Sequence, residues 1–281
     1  MGIAAAGGLL ACPHCGGDLE LGSATARCAR GHSFDIARQG YLNLLAGPQP
    51  GNADTAAMVA ARGRVLGSGA FDRVLGLVAH HSGPARRVLE VGAGTGDYLR
   101  RSLGDNPDAR GLAVDVSVPA ARMAARADGR IASVVADVWS GLPVRDHCVD
   151  TVLCVFAPRN LVEFARVLVP AGRLLVLTPN PGHLAVLRER YGLLSIHPDK
   201  QERLLAAASE FFDLRTTSRI RTRVELTPAL AADVIGMGPN AFHDPELPGA
   251  PVADHLDATL RVFEPVSGTP GIPDPPAALR D

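Results

Sequence analysis

The fold is decided by the stretch Arg87-Val-Leu-Glu-Val-Gly-Ala-Gly-Thr-Gly96. Its first five residues form a short apolar run, which predicts a buried strand. The glycines that follow predict a tight turn into a helix beginning near Asp97, because glycine lets the backbone pass close to a ligand. The amides at the start of such a helix can bind polar groups of a ligand. Alone, a glycine triad is a weak indication of a nucleotide-type cofactor site.

Carboxylates at the ends of the next two predicted strands strengthen that interpretation. The runs Gly111-Leu-Ala-Val-Asp115 and Ala132-Ser-Val-Val-Ala-Asp137 each end on an aspartate. Asp115 is placed to accept both hydroxyls of a ribose, and Asp137 is placed to meet an adenine amine.

The later segments extend a strand and helix pattern that is typical of an α/β fold with a mostly parallel sheet. We predict strands at 149–155 and 173–177, a helix at 161–168, and a closing antiparallel pair at 215–224 and 258–262. Two further helices are predicted before the glycine loop, from Asp54 and from Phe71. The proline-rich tail from Ser267 is predicted to be disordered.

The glycine spacing separates two classes of cofactor. It is G-x-G-x-G, whereas the turn of nicotinamide dehydrogenases is G-x-G-x-x-G. Glu90 suits a ligand with a cationic amino-acid end. The series of Glu90, the glycines, Asp115 and Asp137 therefore resembles a class I S-adenosylmethionine-dependent methyltransferase, which implies a Rossmann-like fold with a mostly parallel seven-stranded sheet. A Rossmann-like domain without a working cofactor site is the alternative.

A second motif lies near the amino terminus, where Cys12-Pro-His-Cys15 is followed by Cys28-Ala-Arg-Gly-His32. The intervals fit the tetrahedral coordination that a structural zinc ion takes from thiolates and imidazole. We predict Cys12, Cys15, Cys28 and His32 as the four ligands, which leaves no open position for catalysis. His14, inside the first pair, is a competing ligand that we expect to face solvent.

Cysteine usage and hydropathy indicate the cellular compartment of the protein. The run Leu9-Leu10-Ala11-Cys12 imitates a lipoprotein processing site, but it is short and no basic residue precedes it, which argues against export. Cys148 and Cys154 are predicted as free buried thiols of a reducing cytoplasm. No apolar run reaches membrane-spanning length, so no membrane partner is expected.

The charge balance limits how the chain can bind RNA. With 281 residues and a net charge of −1, the chain suits a soluble α/β core with a small appendage and has no overall attraction to nucleic acid. Any RNA site is therefore a local patch. Lys200 is the only lysine among 28 basic residues. Such an arginine excess is typical of a GC-rich genome, although arginine also binds phosphate well.

The segments divide the chain into four parts. We predict a zinc ribbon at 1–34, a linker with helices at 35–83, a methyltransferase domain at 84–266 and a tail at 267–281. The Gly/Pro-rich stretch 47–51 has the composition of a link between lobes.

Together these parts resemble the RlmA/TlrB type of 23S rRNA guanine-N1 methyltransferase, in which a small zinc ribbon precedes a class I methyltransferase domain. The resemblance spans nearly the whole chain. Besides the metal ligands and the glycine loop, it is carried by Phe34-Asp35, Gly40-Tyr-Leu-Asn-Leu-Leu45, Met58-Val-Ala-Ala-Arg62, Asp137-Val-Trp139, Val155-Phe-Ala-Pro-Arg-Asn160, Thr178-Pro179, His183-Leu184 and Gly236-Met-Gly-Pro239. The stretches Asp137-Val-Trp139 and Val155-Phe-Ala-Pro-Arg-Asn160 look especially like the TlrB branch, which modifies guanine 748 and is linked to tylosin-type macrolide resistance. Guanine 748 is therefore favoured, with guanine 745 as the alternative.

The resemblance adds cofactor contacts to those argued from the strands. The complete predicted set is Phe71, Glu90, Gly92, Gly94, Thr95, Gly96, Asp97, Asp115, Asp137 and His183. One position departs from the family, whose Gly-His-Tyr turn here reads Gly69-Ala70-Phe71. An aromatic face survives there, but a hydroxyl and an imidazole do not.

The implied reaction moves a sulfonium methyl group to N1 of a guanine. Pairing in a duplex would hide N1, so the expected target is a hairpin-loop base. Phe156, Ala157 and Pro158 are candidates for positioning that base, Phe156 by stacking and the loop by accepting from N1–H or the amine through its backbone carbonyls. No general base is identified, and Asp97 and Asp146 are candidates by placement only.

Arginines of the ribbon and the adjoining loops are predicted to bind RNA phosphates. They are Arg27, Arg30, Arg38, Arg62, Arg64 and Arg159. Tyr41 is expected in the core, whereas Trp139 stays open between core packing and base stacking. The family also implies a homodimer. Two other classes remain open, a small-molecule methyltransferase with a structural ribbon and an rRNA-binding protein with an inert cofactor fold.

Overall fold

A computed structural model describes residues 2–197, 199–243 and 246–266. The tail from Ser267, predicted to be disordered, lies outside the described residues. The strands are β1 (Glu20–Leu21), β2 (Thr25–Arg27), β3 (Ser33–Asp35), β4 (Tyr41–Asn43), β5 (Arg87–Val91), β6 (Arg110–Asp115), β7 (Ile131–Val135), β8 (Val149–Val155), β9 (Leu168–Pro179), β10 (Phe212–Leu226) and β11 (Val252–Pro265).

Helices connect these strands and cover the main sheet. They are α1 (Ala56–Gly67), α2 (Asp72–Ser82), α3 (Asp97–Leu103), α4 (Val118–Ala127), α5 (Leu161–Val167), α6 (Ala185–Arg190), α7 (Lys200–Ala208) and α8 (Pro228–Gly236). Short 3-10 turns are found at Gly2–Ala6, Val138–Ser140 and Pro239–His243. None of the described helices is long and apolar enough to cross a membrane.

The main sheet has eight strands in the order β10-β11-β9-β8-β5-β6-β7-β4. The strands from β9 to β4 are parallel to their neighbours, and β10 and β11 close the sheet as the predicted antiparallel pair. The predicted number of seven is wrong by one. Strand β4 comes from the segment predicted as a linker, and Tyr41 and Leu42 in it are buried against β7. Three residues carry too little periodicity to reveal a strand.

The ribbon is attached firmly to this sheet. Strands β1 to β3 form a separate antiparallel sheet. Leu10 makes a bridge to Val144, and the turn Gly2–Ala6 packs on β7. Leu19 and Ala26 of the ribbon share a hydrophobic core with residues of the main sheet. The ribbon therefore has a fixed position relative to the main sheet.

Side-chain caps set the starts of several helices. The side chains of Thr55, Ser117 and Thr227 accept the amide three residues ahead and begin α1, α4 and α8. Helix α1 therefore begins at Ala56, after the predicted start at Asp54. The carboxyl ends of β5, β6 and β8 meet at one edge of the sheet, which is where an open α/β sheet binds its ligand.

Candidate active site and metal centre

The metal ligands predicted from the sequence converge on one point. The ligand atoms of Cys12, Cys15, Cys28 and His32 all lie within 4.8 Å of one another. The sulfurs of Cys15 and Cys28 are 3.7 Å apart, and Nδ1 of His32 is 3.3 Å from the Cys28 sulfur. Tetrahedral bonds of about 2.3 Å put two sulfurs about 3.8 Å apart. The spacing therefore fits a structural zinc ion whose four positions are filled by protein.

Backbone amides complete this metal centre. The amides of His14 and Cys15 donate to the Cys12 sulfur, which stabilises a metal-bound thiolate. The side chain of His14 is exposed and stacks on Phe34, with ring centroids 5.6 Å apart. His14 is thus outside the ligand set, as expected.

The loop between β5 and α3 passes so close to other segments that a side chain does not fit at two of its positions, Gly92 and Gly94. Gly92 has a φ of 69°, and a Cβ atom there would lie 2.5 Å from the Cβ of Ala157. Gly94 has a φ of 54°, and a Cβ atom there would lie 2.9 Å from an Nη atom of Arg62. Both positions require glycine for conformation and for space. The result is a bare backbone surface at the strand ends.

Two buried carboxylates hold this loop from below. Glu90 is 1% exposed and accepts the amide of Leu99 at 3.0 Å. Burial raises the pKa of Glu90 well above its usual range. Asp115 accepts the amides of Gly94 and Ser117, both at 2.8 Å, and burial raises its pKa too. Each oxygen of Asp115 keeps a lone pair for a ligand hydroxyl.

The other polar residues of the predicted set make local hydrogen bonds near the loop. The Thr95 hydroxyl donates to Asp97 at 2.7 Å, and Asp97 also pairs with Arg100 at 3.3 Å. Asp137 accepts the amide of Trp139 at 3.0 Å. Trp139 is 65% exposed, which excludes core packing and leaves base stacking open. Cofactor contacts by Asp97 and Asp137 stay predictions.

Arg62 supplies a positive charge at the glycine loop that sequence reasoning missed. Its guanidinium pairs with Asp54 at 2.5 Å and donates to the carbonyl of Met237 at 2.6 Å. It is close enough to lower the pKa of Glu90 and Asp115 against the effect of their burial. The predicted RNA contact by Arg62 is therefore corrected, because the side chain is 24% exposed and bound within the protein.

Phe156 and His183 form the mouth of the site, where β8 and β9 end. The φ of Phe156 is 52°, a left-handed conformation that costs a residue with a side chain about 1–2 kcal/mol. Its side chain is 41% exposed, and its ring centroid lies 5.6 Å from that of His183. Strain held at an exposed aromatic residue beside the glycine loop is typical of a functional position.

His183 has a defined tautomer. Its Nδ1 accepts the backbone amide of Asp257 at 3.2 Å, so the neutral ring carries its proton on Nε2. Burial lowers the pKa of His183 to about 4. Near pH 7 this imidazole is neutral, offers a hydrogen-bond donor and has no free lone pair for a general base.

Two backbone carbonyls of the loop after β8 point in a direction different from the one predicted. The thiol of Cys154 donates to the carbonyls of Ala157 and Pro158 at 3.5 and 3.4 Å. Because Cys154 is buried, these carbonyls face the interior and not the base. Of the three base-positioning candidates, Phe156 alone keeps an exposed side chain beside His183. Cys148 and Cys154 are free buried thiols, as predicted.

Two predicted residues do not face the cleft. Phe71 is 2% exposed within a hydrophobic core, so its ring offers almost no surface to a cofactor in this conformation. Asp146 precedes the amino end of β8, opposite Phe156, and pairs with Arg166 at 2.6 Å. Its candidacy as general base is therefore wrong. Tyr41 is buried in the core, as expected.

The candidate RNA-binding arginines fall into two groups. Arg64 forms a bidentate pair with Asp233, with distances of 2.8 and 2.6 Å, so its predicted phosphate contact is replaced by an internal ion pair. Arg27, Arg30 and Arg38 are exposed in and beside the ribbon, and they form no ion pair with another described residue. Their RNA contacts stay predictions, as does that of Arg159 beside the loop after β8.

Comparison with known proteins identifies both parts of the chain. Residues 10–48 match the family model described as "RlmA, N-terminal", a zinc ribbon, and residues 88–176 match a "Methyltransferase domain". The chain is 44% identical, over 84% of its length, to the 23S rRNA (guanine(748)-N(1))-methyltransferase of Streptomyces fradiae, 87% of which is covered. The chain belongs to the 23S rRNA (guanine-N1)-methyltransferase family.

A second family member gives the same picture. A putative 23S rRNA (guanine-N(1)-)-methyltransferase of Micromonospora griseorubida is 43% identical, over 83% of this chain and 87% of that protein. Membership confirms the predicted class I fold and enzyme class, with S-adenosylmethionine and zinc as cofactors. The residues fit both groups, since the four Cys and His ligand atoms converge with spacings that suit a tetrahedral zinc ion. The glycine loop is bare and is flanked by carboxylates and one guanidinium.

Proposed function

We propose that this methyltransferase transfers the methyl group of S-adenosylmethionine to N1 of guanine 748 in a hairpin loop of 23S rRNA. The observation that carries the proposal is the exposed, strained Phe156 beside a glycine loop suited to the methyl donor. Guanine 748 is favoured over guanine 745 because the Streptomyces fradiae relative is named for that position. A contribution to tylosin-type macrolide resistance is part of the proposal.

The bound cofactor supplies an activated methyl group, so the protein chiefly has to orient the two reactants. Asp115 accepts from the ribose hydroxyls and Asp137 from the adenine amine. Arg62 donates to the carboxylate of the amino-acid end through the N–H groups that Asp54 and Met237 leave free, because its guanidinium lies against Gly94. Glu90 is buried, and the charge of Arg62 lowers its pKa against the effect of that burial. The Glu90 carboxylate favours the ammonium group of the same amino-acid end.

The target base enters at the mouth of the site. Phe156 stacks on the guanine ring, and the Nε2–H of His183 donates to an acceptor on the base edge. As the bond from N1 to the methyl carbon forms, the bond from sulfur to that carbon breaks. His183 cannot accept the N1 proton, because its tautomer leaves no lone pair, and Asp146 lies at the other end of β8. The proton passes to solvent water, with Asp97 near the glycine loop as the alternative acceptor.

The ribbon arginines Arg27, Arg30 and Arg38, with Arg159, bind phosphates of the same RNA. The enzyme works in the cytoplasm as a homodimer whose cleft accommodates a hairpin. The division into a ribbon at 1–34, a connecting segment at 35–83, a methyltransferase domain at 84–266 and a tail at 267–281 is kept as part of the proposal.

The test is incubation with labelled S-adenosylmethionine and protein-free 23S rRNA that lacks the modification, followed by primer extension. Methylation at N1 blocks base pairing and stops reverse transcription. We expect label in the RNA and a stop set by guanine 748. A stop set by guanine 745 would move the site within the hairpin. No stop in that hairpin, from enzyme that binds S-adenosylhomocysteine, would refute the proposal.

A further inference from the structure

A groove runs along the outer edge of the main sheet. Two hollows of about 700 and 600 Å³ lie there and share Arg219 and Arg221 of β10 as a common wall. One hollow ends at Pro181 and Gly182, in the loop after β9, and the other ends at Arg73, Leu77 and His80 of α2. Side chains alternate along β10, so Arg219 and Arg221 face Asp257, whereas Thr222, which Arg73 contacts, faces α2. The two hollows therefore flank this edge strand on either side, and we call the pair the arginine groove.

The charge of the arginine groove is positive. Asp257 is the one acidic residue among the described residues that line it. The carboxylate of Asp257 accepts hydrogen bonds from Arg219 at 3.0 and 2.7 Å and from Asn180 at 2.6 Å. Arg221 is exposed and forms no ion pair or hydrogen bond through its side chain with another described residue. Among the residues that the structure describes, the side chain of Arg73 donates only to the hydroxyl of Thr222, at 3.3 Å. Two guanidinium groups are thus available to an anion from solution.

The groove leads to the mouth of the proposed active site. A Cβ atom on Gly182 would lie 2.7 Å from the carboxylate of Asp257, so the loop after β9 rests on that residue. The amide of Asp257 in turn holds Nδ1 of His183, whose ring lies against Phe156. The hollow at Gly182 therefore adjoins the loop that carries His183, whose ring contacts the residue proposed to stack on the target base.

We propose that the arginine groove binds the sugar-phosphate backbone of the RNA strand next to the target guanine. This inference rests on the proposed function and adds a surface remote from the ribbon arginines. Arginine forks match phosphate oxygens, and repeated phosphates suit a strand edge that offers Arg221 on one side and Arg73 on the other. A flipped base needs its flanking backbone held, because unstacking must be compensated by contacts on either side.

The test compares the double variant Arg73→Ala with Arg221→Ala against a control substitution on β10. Arg221→Ala removes the unpaired guanidinium, and Arg223→Ala, two residues along β10, removes one already paired with Glu225 at 2.6 Å. Binding of a hairpin RNA is measured by fluorescence anisotropy over a range of salt concentrations. We expect Arg221→Ala, combined with Arg73→Ala, to weaken binding about tenfold and to lower the salt slope by about one per lost phosphate contact. Arg223→Ala should stay within about twofold of the unmodified enzyme.

Calorimetry with S-adenosylhomocysteine and light scattering accompany the binding curves. Unchanged cofactor affinity and mass in the double variant support the inference. If the double variant and Arg223→Ala bind the RNA equally well, and the unmodified enzyme still methylates the hairpin, the inference is overturned. A change in mass assigns the groove to contacts between copies of the chain, which also overturns it. An unmodified enzyme that neither binds nor methylates the hairpin overturns the proposed function itself.

Discussion

Arg62 gives the sharpest quantitative prediction. Arg62→Ala removes a guanidinium that lies against the glycine loop, where we place the carboxylate of S-adenosylmethionine. A hydrogen bond to a charged partner contributes about 1.5–3 kcal/mol. A loss of about 2 kcal/mol corresponds to a dissociation constant about 30-fold higher. The partner Asp54 is 23% exposed, so water can solvate it after the substitution and the fold should persist.

The assay is calorimetry with two ligands. S-adenosylhomocysteine carries the amino-acid end, whereas methylthioadenosine shares the nucleoside and lacks that end. We expect Arg62→Ala to weaken the first ligand about 30-fold and to leave the second within about twofold. Arg62→Lys, which keeps the charge but loses the planar fork, should fall in between.

Arg64→Ala is the matched control, because Arg64 lies on the same helix and pairs with Asp233 away from the loop. It should change neither affinity. If Arg62→Ala weakens both ligands equally, the residue supports the loop and does not recognise the carboxylate. That result would refute the proposed contact between Arg62 and the ligand carboxylate.

Three further predictions concern the loop, the metal and pH. Gly92→Ala should abolish cofactor binding in calorimetry, because its Cβ would lie 2.5 Å from Ala157, whereas Gly8→Ala, with a similar φ of 73° and open space, should not. Cys15→Ser should lower zinc measured by mass spectrometry from about one ion per chain toward none, and retention of full zinc would contradict the assigned ligands. His183 has a folded pKa of about 4, below its unfolded value near 6.5, so protonation favours unfolding. The free energy of unfolding should therefore fall by about 3 kcal/mol at most as pH drops from about 6.5 to 4, and urea titrations of His183→Gln should show a smaller fall.

Local patterns in the sequence predict much of the fold and the metal centre. The strand, glycine loop and helix around Gly92 are encoded within ten residues, and the zinc ligands by their spacing alone. The strand Tyr41–Asn43 was missed because its pairing with β7 depends on residues far along the chain.

The electrostatics of the site depend on contacts that spacing does not encode. Arg62 is held by Met237, 175 residues away, and the tautomer of His183 is set by Asp257, 74 residues away. Arg62 and Arg64 look alike in the sequence as exposed cations, yet both are paired within the protein. The arginine groove likewise depends on α2 lying beside β10, where Arg73 contacts Thr222, 149 residues away.

The central claim is that this cleft methylates N1 of a guanine. Reaction of 23S rRNA with deuterated-methyl S-adenosylmethionine, followed by digestion to nucleosides and mass spectrometry, tests it most directly. We expect the deuterated methyl group in 1-methylguanosine, and Phe156→Ala should greatly reduce its yield. Label in 2-methylguanosine or 7-methylguanosine, or in RNA-free small molecules alone, would contradict it.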